Sequence, residues 1–124
     1  MEKLIIEASI DTPYVLLDAE KGYFEINGKS YPEDTLEFYT PVLNWMNEYS
    51  KSPAPLSTFA FKLHYFNSSS YKPILDLILK LEEIKQTNAN VKIEWHYKAG
   101  DTDMKEAGDE FAEVVTIPFD FHTF

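Results

Sequence analysis

Asn67-Ser68-Ser69-Ser70 places three hydroxyls in a row between an alternating apolar stretch and a helical one. Asn and Ser are favoured helix N-caps, because their side-chain oxygens accept from the first free backbone amides, and one such residue would suffice. Three serines exceed that need. The same position suits a phosphorylation switch. A phosphate adds about −1.5 to −2 charge at neutral pH. The dipole and open amides of a helix start can hold that charge. There it would present a bulky dianion to any partner docked over the helix start. The expected acceptors are Ser68, Ser69 and Ser70, and the expected partner-binding residues are Asn67, Ser68, Ser69, Ser70 and Lys72.

Other polar groups offer less. His64 and His96 fall on the polar sides of two strands, and His122 lies near the C-terminus. A metal needs several convergent ligands, and no third ligand is fixed by spacing, so the histidines read as surface residues and no metal is expected. Asp101, Asp103, Glu106, Asp109, Glu110 and Glu113 invite a calcium reading. An EF-hand loop counted from Asp101 puts Lys105 at position 5 and Glu106 at position 6, where an oxygen ligand and a glycine are required, so the pattern fails. Capping and helix-dipole effects account for Asp101 and Asp103, and solvation for the rest. There is no Gly-x-Ser-x-Gly elbow and no glycine-rich phosphate loop among four glycines. No catalytic residue and no cofactor are expected. A small metal-dependent hydrolase would need His96 to meet Asp101 and Asp103.

The elements that position these groups follow from periodicity. Residues 3–9 read as a strand broken at Thr12-Pro13. Residues 14–18 and 23–26 read as a hairpin about Gly22, the second strand ending at Asn27-Gly28. A turn at 30–34 precedes a helix with Tyr39, Val42, Leu43, Met46 and Tyr49 on one face. Pro41 predicts either a helix start there, capped by Thr40, or an irregular turn before it. From Ser57 to Phe66, Phe59, Phe61, Leu63 and Tyr65 alternate with polar residues. Ile74, Leu77, Ile78, Leu81 and Ile84 mark a second helix; Val91, Ile93, Trp95 and Tyr97 mark a strand. Met104, Ala107, Gly108, Phe111, Ala112 and Val115 mark a third helix, and 117–121 an edge strand containing Pro118.

The expected order is β-β-β-α-β-α-β-α-β: one α/β domain over residues 1–124 with a single mixed sheet. Two strands keep a polar side, whereas a parallel strand covered on both faces is usually apolar throughout. The three helices are therefore expected mainly on one face. Thr58, Lys62, His64, Lys92, Glu94, His96 and Lys98 would lie on the open one.

Composition narrows the class. With 124 residues and 44% apolar content, the chain can bury one core. It carries net charge −10, and its 11 basic residues are all lysine. That balance argues against nucleic-acid binding, and the lack of arginine against phosphate clamping. No cysteine is present, which fits a reducing cytoplasm. No apolar run is long enough for membrane insertion, and acids interrupt the N-terminal stretch where a signal peptide would be apolar.

Residues spread along the chain resemble the SiaC family of regulatory phosphoproteins. They include Thr12-Pro13, the run from Gly28 to Asp34, Phe38-Tyr39 with Pro41 and Trp45, and the run from Leu63 to Ser70. Trp95-His96-Tyr97, the run from Asp101 to Gly108, and Pro118-Phe119 complete the pattern. In that family the strand-end segment typically reads Asn-Thr-Ser-Ser with the threonine phosphorylated, and the matching residue here is Ser68. The resemblance implies a serine/threonine kinase and a partner-switching phosphatase as partners. It also implies a non-enzymatic regulator that binds a target, such as a diguanylate cyclase, when unphosphorylated. The element order is similar to that of STAS-type anti-sigma-factor antagonists, an analogy at the level of fold. A constitutive interaction adaptor without phospho-control is the alternative reading.

Overall fold

In the computed structural model, which describes residues 1–124, six strands form one sheet in the order of the chain. Strands β1 (Leu4–Ile6), β2 (Tyr14–Asp18) and β3 (Tyr23–Ser30) pair antiparallel. Strands β4 (Leu56–Phe66), β5 (Asn90–Tyr97) and β6 (Phe119–Thr123) continue from β3 in parallel. Each parallel step needs a crossover, supplied by α1 (Thr35–Tyr49), α2 (Ser68–Lys85) and α3 (Thr102–Glu113). The mixed sheet with three helices is the architecture expected from periodicity.

All three helices bury against one face. Phe24, Phe59, Phe61 and Trp95 form a line of aromatic contacts across β3, β4 and β5, with centroids 5.7, 4.4 and 5.4 Å apart. On that line sit Tyr49 of α1 and Phe111 of α3, 4.9 Å from Phe24 and 5.5 Å from Trp95 respectively. Ile74, Leu77, Ile78 and Leu81 of α2 join the same cluster of 22 buried residues. Two tyrosines pin the ends of α1 to the sheet. The Tyr39 hydroxyl meets Ser30 Oγ at 2.6 Å, and the Tyr49 hydroxyl meets Ser57 Oγ at 2.6 Å. On the other face Thr58, Lys62, Lys92, Glu94 and His96 are only half-buried.

Several boundaries differ from expectation. Strand β1 is three residues long. Strand β3 does not stop at Asn27-Gly28 but runs to Ser30. Gly28 adopts φ +122°, where a side chain would be strained, and the register shifts there. Gly28 opposes Leu63 while Lys29 opposes Tyr65, so His64 is an extra, unpaired residue on β4. A one-residue slip exchanges the faces of a strand. Tyr65, expected on the buried side, is therefore 50% exposed, while Phe66 packs towards Phe111 at 6.4 Å.

Helix α1 begins at Thr35, not at Pro41, because Asp34 caps it by accepting from the Glu37 amide at 3.0 Å. Pro41 lies inside the helix. Strand β6 runs two residues further towards the C-terminus than expected and lies at the sheet edge, just after Pro118.

Helix α3 approaches the sheet closely because Gly108 has no side chain. A Cβ there would lie 2.5 Å from Trp95 Cδ1 and 2.8 Å from Phe121 Cε1. Trp95 cannot easily yield, since its Nε1 donates to the Met104 carbonyl at 2.9 Å. Gly108→Ala should thus be destabilising: overpacking costs about 1–3 kcal/mol, more than the ~1 kcal/mol that alanine gains in a helix interior. A lower urea midpoint with an unchanged slope would show it.

Candidate functional site

The bulge delivers β4 to the start of α2 in one orientation. Beyond it, Ser30 pairs with Phe66, and the Asn67 amide donates to the Ser30 carbonyl at 3.0 Å. Asn67 is the N-cap of α2. Its Oδ1 accepts from the Ser70 amide at 3.1 Å, the Ser70 hydroxyl at 2.8 Å and the Ser69 hydroxyl at 3.0 Å. One side-chain oxygen thus organises the whole first turn.

The three serines occupy different environments. Ser70 is 0% exposed, and its Oγ lies 2.9 Å from Ser30 Oγ, which meets the Tyr39 hydroxyl. Ser70 Oγ also reaches the Ser30 carbonyl at 3.1 Å. This knot joins β3, α1 and α2 with no water-facing atom on Ser70, so Ser70 offers a partner no surface. Burial pushes the Tyr39 hydroxyl up to about 12, with the serine hydrogen bonds opposing, so it stays neutral. Ser69 is exposed, but its hydroxyl is shared between Asn67 and Thr35 Oγ1, the latter at 2.7 Å. Ser68 is exposed and its hydroxyl makes no hydrogen bond within the protein. The Ser68 and Ser69 amides begin the helix with no acceptor in the protein.

Around this turn lie apolar groups left in water. Tyr31 and Tyr65 meet edge to face at 6.0 Å, 37% and 50% exposed. Tyr71, 40% exposed, stacks on Phe111, and Leu36 of α1 is 75% exposed. Leu36, Ser69 and Lys72 line a cleft of about 350 Å³ between α1 and α2. A second cleft of about 350 Å³ lies between the end of β4 and α3, lined by Tyr65, Phe66, Asp101 and Met104 among others. Lys72 pairs with Asp76 at 2.8 Å along the exposed side of α2. Pro73, also within α2, is buried and cannot donate to the Ser69 carbonyl one turn back.

The hydrolase constellation is not assembled. Asp101 caps α3, accepting from the Met104 amide at 3.0 Å, and shares a cleft with Asp103 and His64 instead of His96. His64 packs on Phe124, with ring centroids 4.8 Å apart. His96 lies on the open sheet face, 3.1 Å from Glu94 and stacked at 4.8 Å on His122. Spacing fixes no third ligand for the histidines, because a last strand over 117–121 leaves His122 beyond its end. With β6 extended to Thr123, register sets His122 beside His96. Sequence reasoning also missed Ser30, Thr35 and Tyr39 as ties of the first turn; the available signals were the serine in the run from Gly28 to Asp34 and the pair Phe38-Tyr39.

Glu25 on the open face shows how its polar groups are satisfied. Burial pushes its carboxyl up, but hydrogen bonds from Tyr23, Asn27 and Lys62, with the Lys62 charge, hold it below the ordinary glutamate range. A lowered folded pKa contributes stability that is full above the unfolded value and lost as pH falls through the folded one. Glu25→Gln should flatten that acid limb, read from urea midpoints across a pH series. At the helix start, Asn67→Ala should cost about 1–2 kcal/mol, while Ser68→Ala should stay within about 0.5 kcal/mol. Equal losses in the two variants would contradict the assigned geometry.

The model of the SiaC family regulatory phosphoproteins matches residues 6–124. An uncharacterized protein of Pseudomonas aeruginosa is 30% identical over 119 residues, covering 96% of this chain and 94% of that one. Apo-SiaC from Pseudomonas aeruginosa superposes with a TM-score of 0.90 at 30% identity, over 98% of this chain and 99% of that one. A chain in the crystal structure of the diguanylate cyclase SiaD in complex with its activator SiaC, also from Pseudomonas aeruginosa, gives a TM-score of 0.92 at 29% identity. The match covers 98% of this chain and 99% of that one.

Proposed function

The chain belongs to the SiaC family of regulatory phosphoproteins, and from that premise we propose that it is a phosphorylation-controlled binding protein whose acceptor is Ser68. The carrying observation is the contrast among the serines. Ser70 is sealed into the knot with Ser30 and Tyr39, Ser69 is bonded on two sides, and Ser68 offers a free, exposed hydroxyl. A kinase must take its acceptor hydroxyl into its own site, and only Ser68 can be given up without breaking a bond.

In the unphosphorylated state the first turn of α2 and the flanking Tyr31, Tyr65, Tyr71 and Leu36 form the docking surface. Exposed tyrosines suit such a role because they bury large area at low entropic cost. The chemistry on this surface is recognition, not catalysis. The target fits a diguanylate cyclase, by the likeness to the SiaC that activates SiaD. Phosphate on Ser68 places a dianion among those tyrosines, held by the free amides of the first turn. Lys72, one turn on, can swing from Asp76 towards it. A partner that buried the turn would then have to desolvate that charge, and each ~1.4 kcal/mol of lost binding is a tenfold weakening. A serine/threonine kinase and a phosphatase of the partner-switching kind set the balance, in a reducing cytoplasm. No helix is long and apolar enough to cross a membrane.

Incubation with the cognate kinase should add one phosphate by intact mass, and Ser68→Ala should abolish the gain. Phosphate still added to Ser68→Ala would overturn the assignment. Ser68→Asp should weaken binding of the cyclase at least tenfold; unchanged affinity would instead support a constitutive adaptor.

A further inference from the structure

The open sheet face gathers a set of donors that the proposed switch does not use. Glu94 and His96 are two residues apart on β5 and so point to the same side. His122 of β6 is the register partner of His96. The ligand atoms of Glu94, His96 and His122 all lie within 4.8 Å of one another. Neither ring is enclosed by the hydrophobic cluster, and His122 is exposed.

We propose that Glu94, His96 and His122 bind one divalent transition-metal ion of the zinc class. The chemistry of the set selects that class: two imidazoles and a carboxylate suit zinc, nickel or copper, whereas magnesium and calcium want oxygen ligands. Two histidines and a glutamate make a familiar three-ligand zinc set, leaving the fourth position open. Ligands at about 2.0–2.1 Å on a tetrahedral ion stand roughly 3.3–3.5 Å apart. Glu94 and His96 are already 3.1 Å apart, and the ligand atom of His122 lies within 4.8 Å of both. The backbone does the rest, because adjacent parallel strands fix both histidines before any ion arrives.

The lysines on this face do not occupy Glu94: Lys92, two residues before it on the same side of β5, forms no ion pair with it. Glu94 forms no ion pair with a lysine; the one side chain of a basic type within bonding reach is the His96 imidazole. Lys62, on the neighbouring strand, is held by Glu25 at 3.2 Å. Asp120 lies opposite Glu94 in the register of β5 and β6, which adds a second carboxylate nearby. The two rings, stacked at 4.8 Å with 21° between their planes, present nitrogens to the same space. A hydrogen bond satisfies Glu94 and His96, but the His122 ring has no hydrogen-bond partner in the protein. A bound ion engages all three. Because β6 is an edge strand whose only strand partner is β5, the ion would also clamp that edge.

The test is calorimetric titration of tag-free, chelator-treated protein with Zn²⁺, with Mg²⁺ as the comparison ion. One Zn²⁺ should bind per chain and Mg²⁺ should not. His96→Ala, His122→Ala and Glu94→Gln should each weaken Zn²⁺ binding at least about tenfold, since even the loss of a supporting residue around a metal costs that much. His64→Ala should leave the affinity within about twofold, because His64 packs on Phe124. Backbone amides of β6 should exchange more slowly with Zn²⁺ bound. His122→Gln, a change at an exposed position, supplies a variant whose folding is not at issue. Absence of Zn²⁺ binding, binding that survives His96→Ala with His122→Gln, or equal weakening by His64→Ala would overturn the site. Phosphate transfer to Ser68 is read separately, so failure of one does not imply failure of the other.

Discussion

The hydrogen bond between the Ser30 and Ser70 hydroxyls, 2.9 Å long and wholly buried, is the point where sheet and crossovers meet. Ser30 ends β3, Ser70 lies in the first turn of α2, and Tyr39 on α1 completes the contact. An unpartnered hydroxyl at that depth would cost about 1–3 kcal/mol. The three groups therefore fix one another's positions, and no buried side-chain nitrogen or oxygen in the protein is left without a partner. The consequence is positional: the turn that carries Ser68 cannot drift relative to α1 without breaking the knot.

How Ser30 comes to face Ser70 depends on the bulge. Gly28 takes the positive φ, His64 is passed over in the pairing, and the last residues of β4 exchange faces. Without that slip Tyr65 would point into the core. With it, Tyr65 joins Tyr31 at the surface and Phe66 fills the interior. One glycine thus produces both the apolar fringe of the site and the alignment of its cap.

Periodicity made the repeating parts of the fold legible. The alternation of Phe59, Phe61 and Leu63, and the helical spacing of Ile74, Leu77, Ile78 and Leu81, are dictated by burial on one face and can be read directly. So could the cap, because Asn67 has the side chain that a helix start needs. What stayed hidden was non-local. The bulge depends on pairing between β3 and β4, the helical Pro41 is overridden by an upstream Asp34 cap, and the meeting of His96 with His122 depends on the register of an edge strand. Periodicity also left the three serines equivalent. Their inequality comes largely from Ser30 and Thr35, each more than thirty residues away in the chain from the serine it meets, with Tyr39 behind Ser30. The chain matches the SiaC family over residues 6–124, and two residues within that span, Ser30 and Tyr39, serve this local architecture.

Pro73 gives the first turn of α2 a mechanical character of its own. A helix normally transmits a disturbance along its ladder of amide bonds, each turn gripping the one before it. Here the rung that should grip the Ser69 carbonyl is absent, since Pro73 has no N–H to offer. The leading turn is consequently held from the side, by Asn67, Thr35 and Ser30, and less by the helix behind it. Whatever alters those lateral ties can reshape the turn while Ile74 onward stays seated in the core. Rearrangement is thereby confined to the one stretch of α2 that faces the outside.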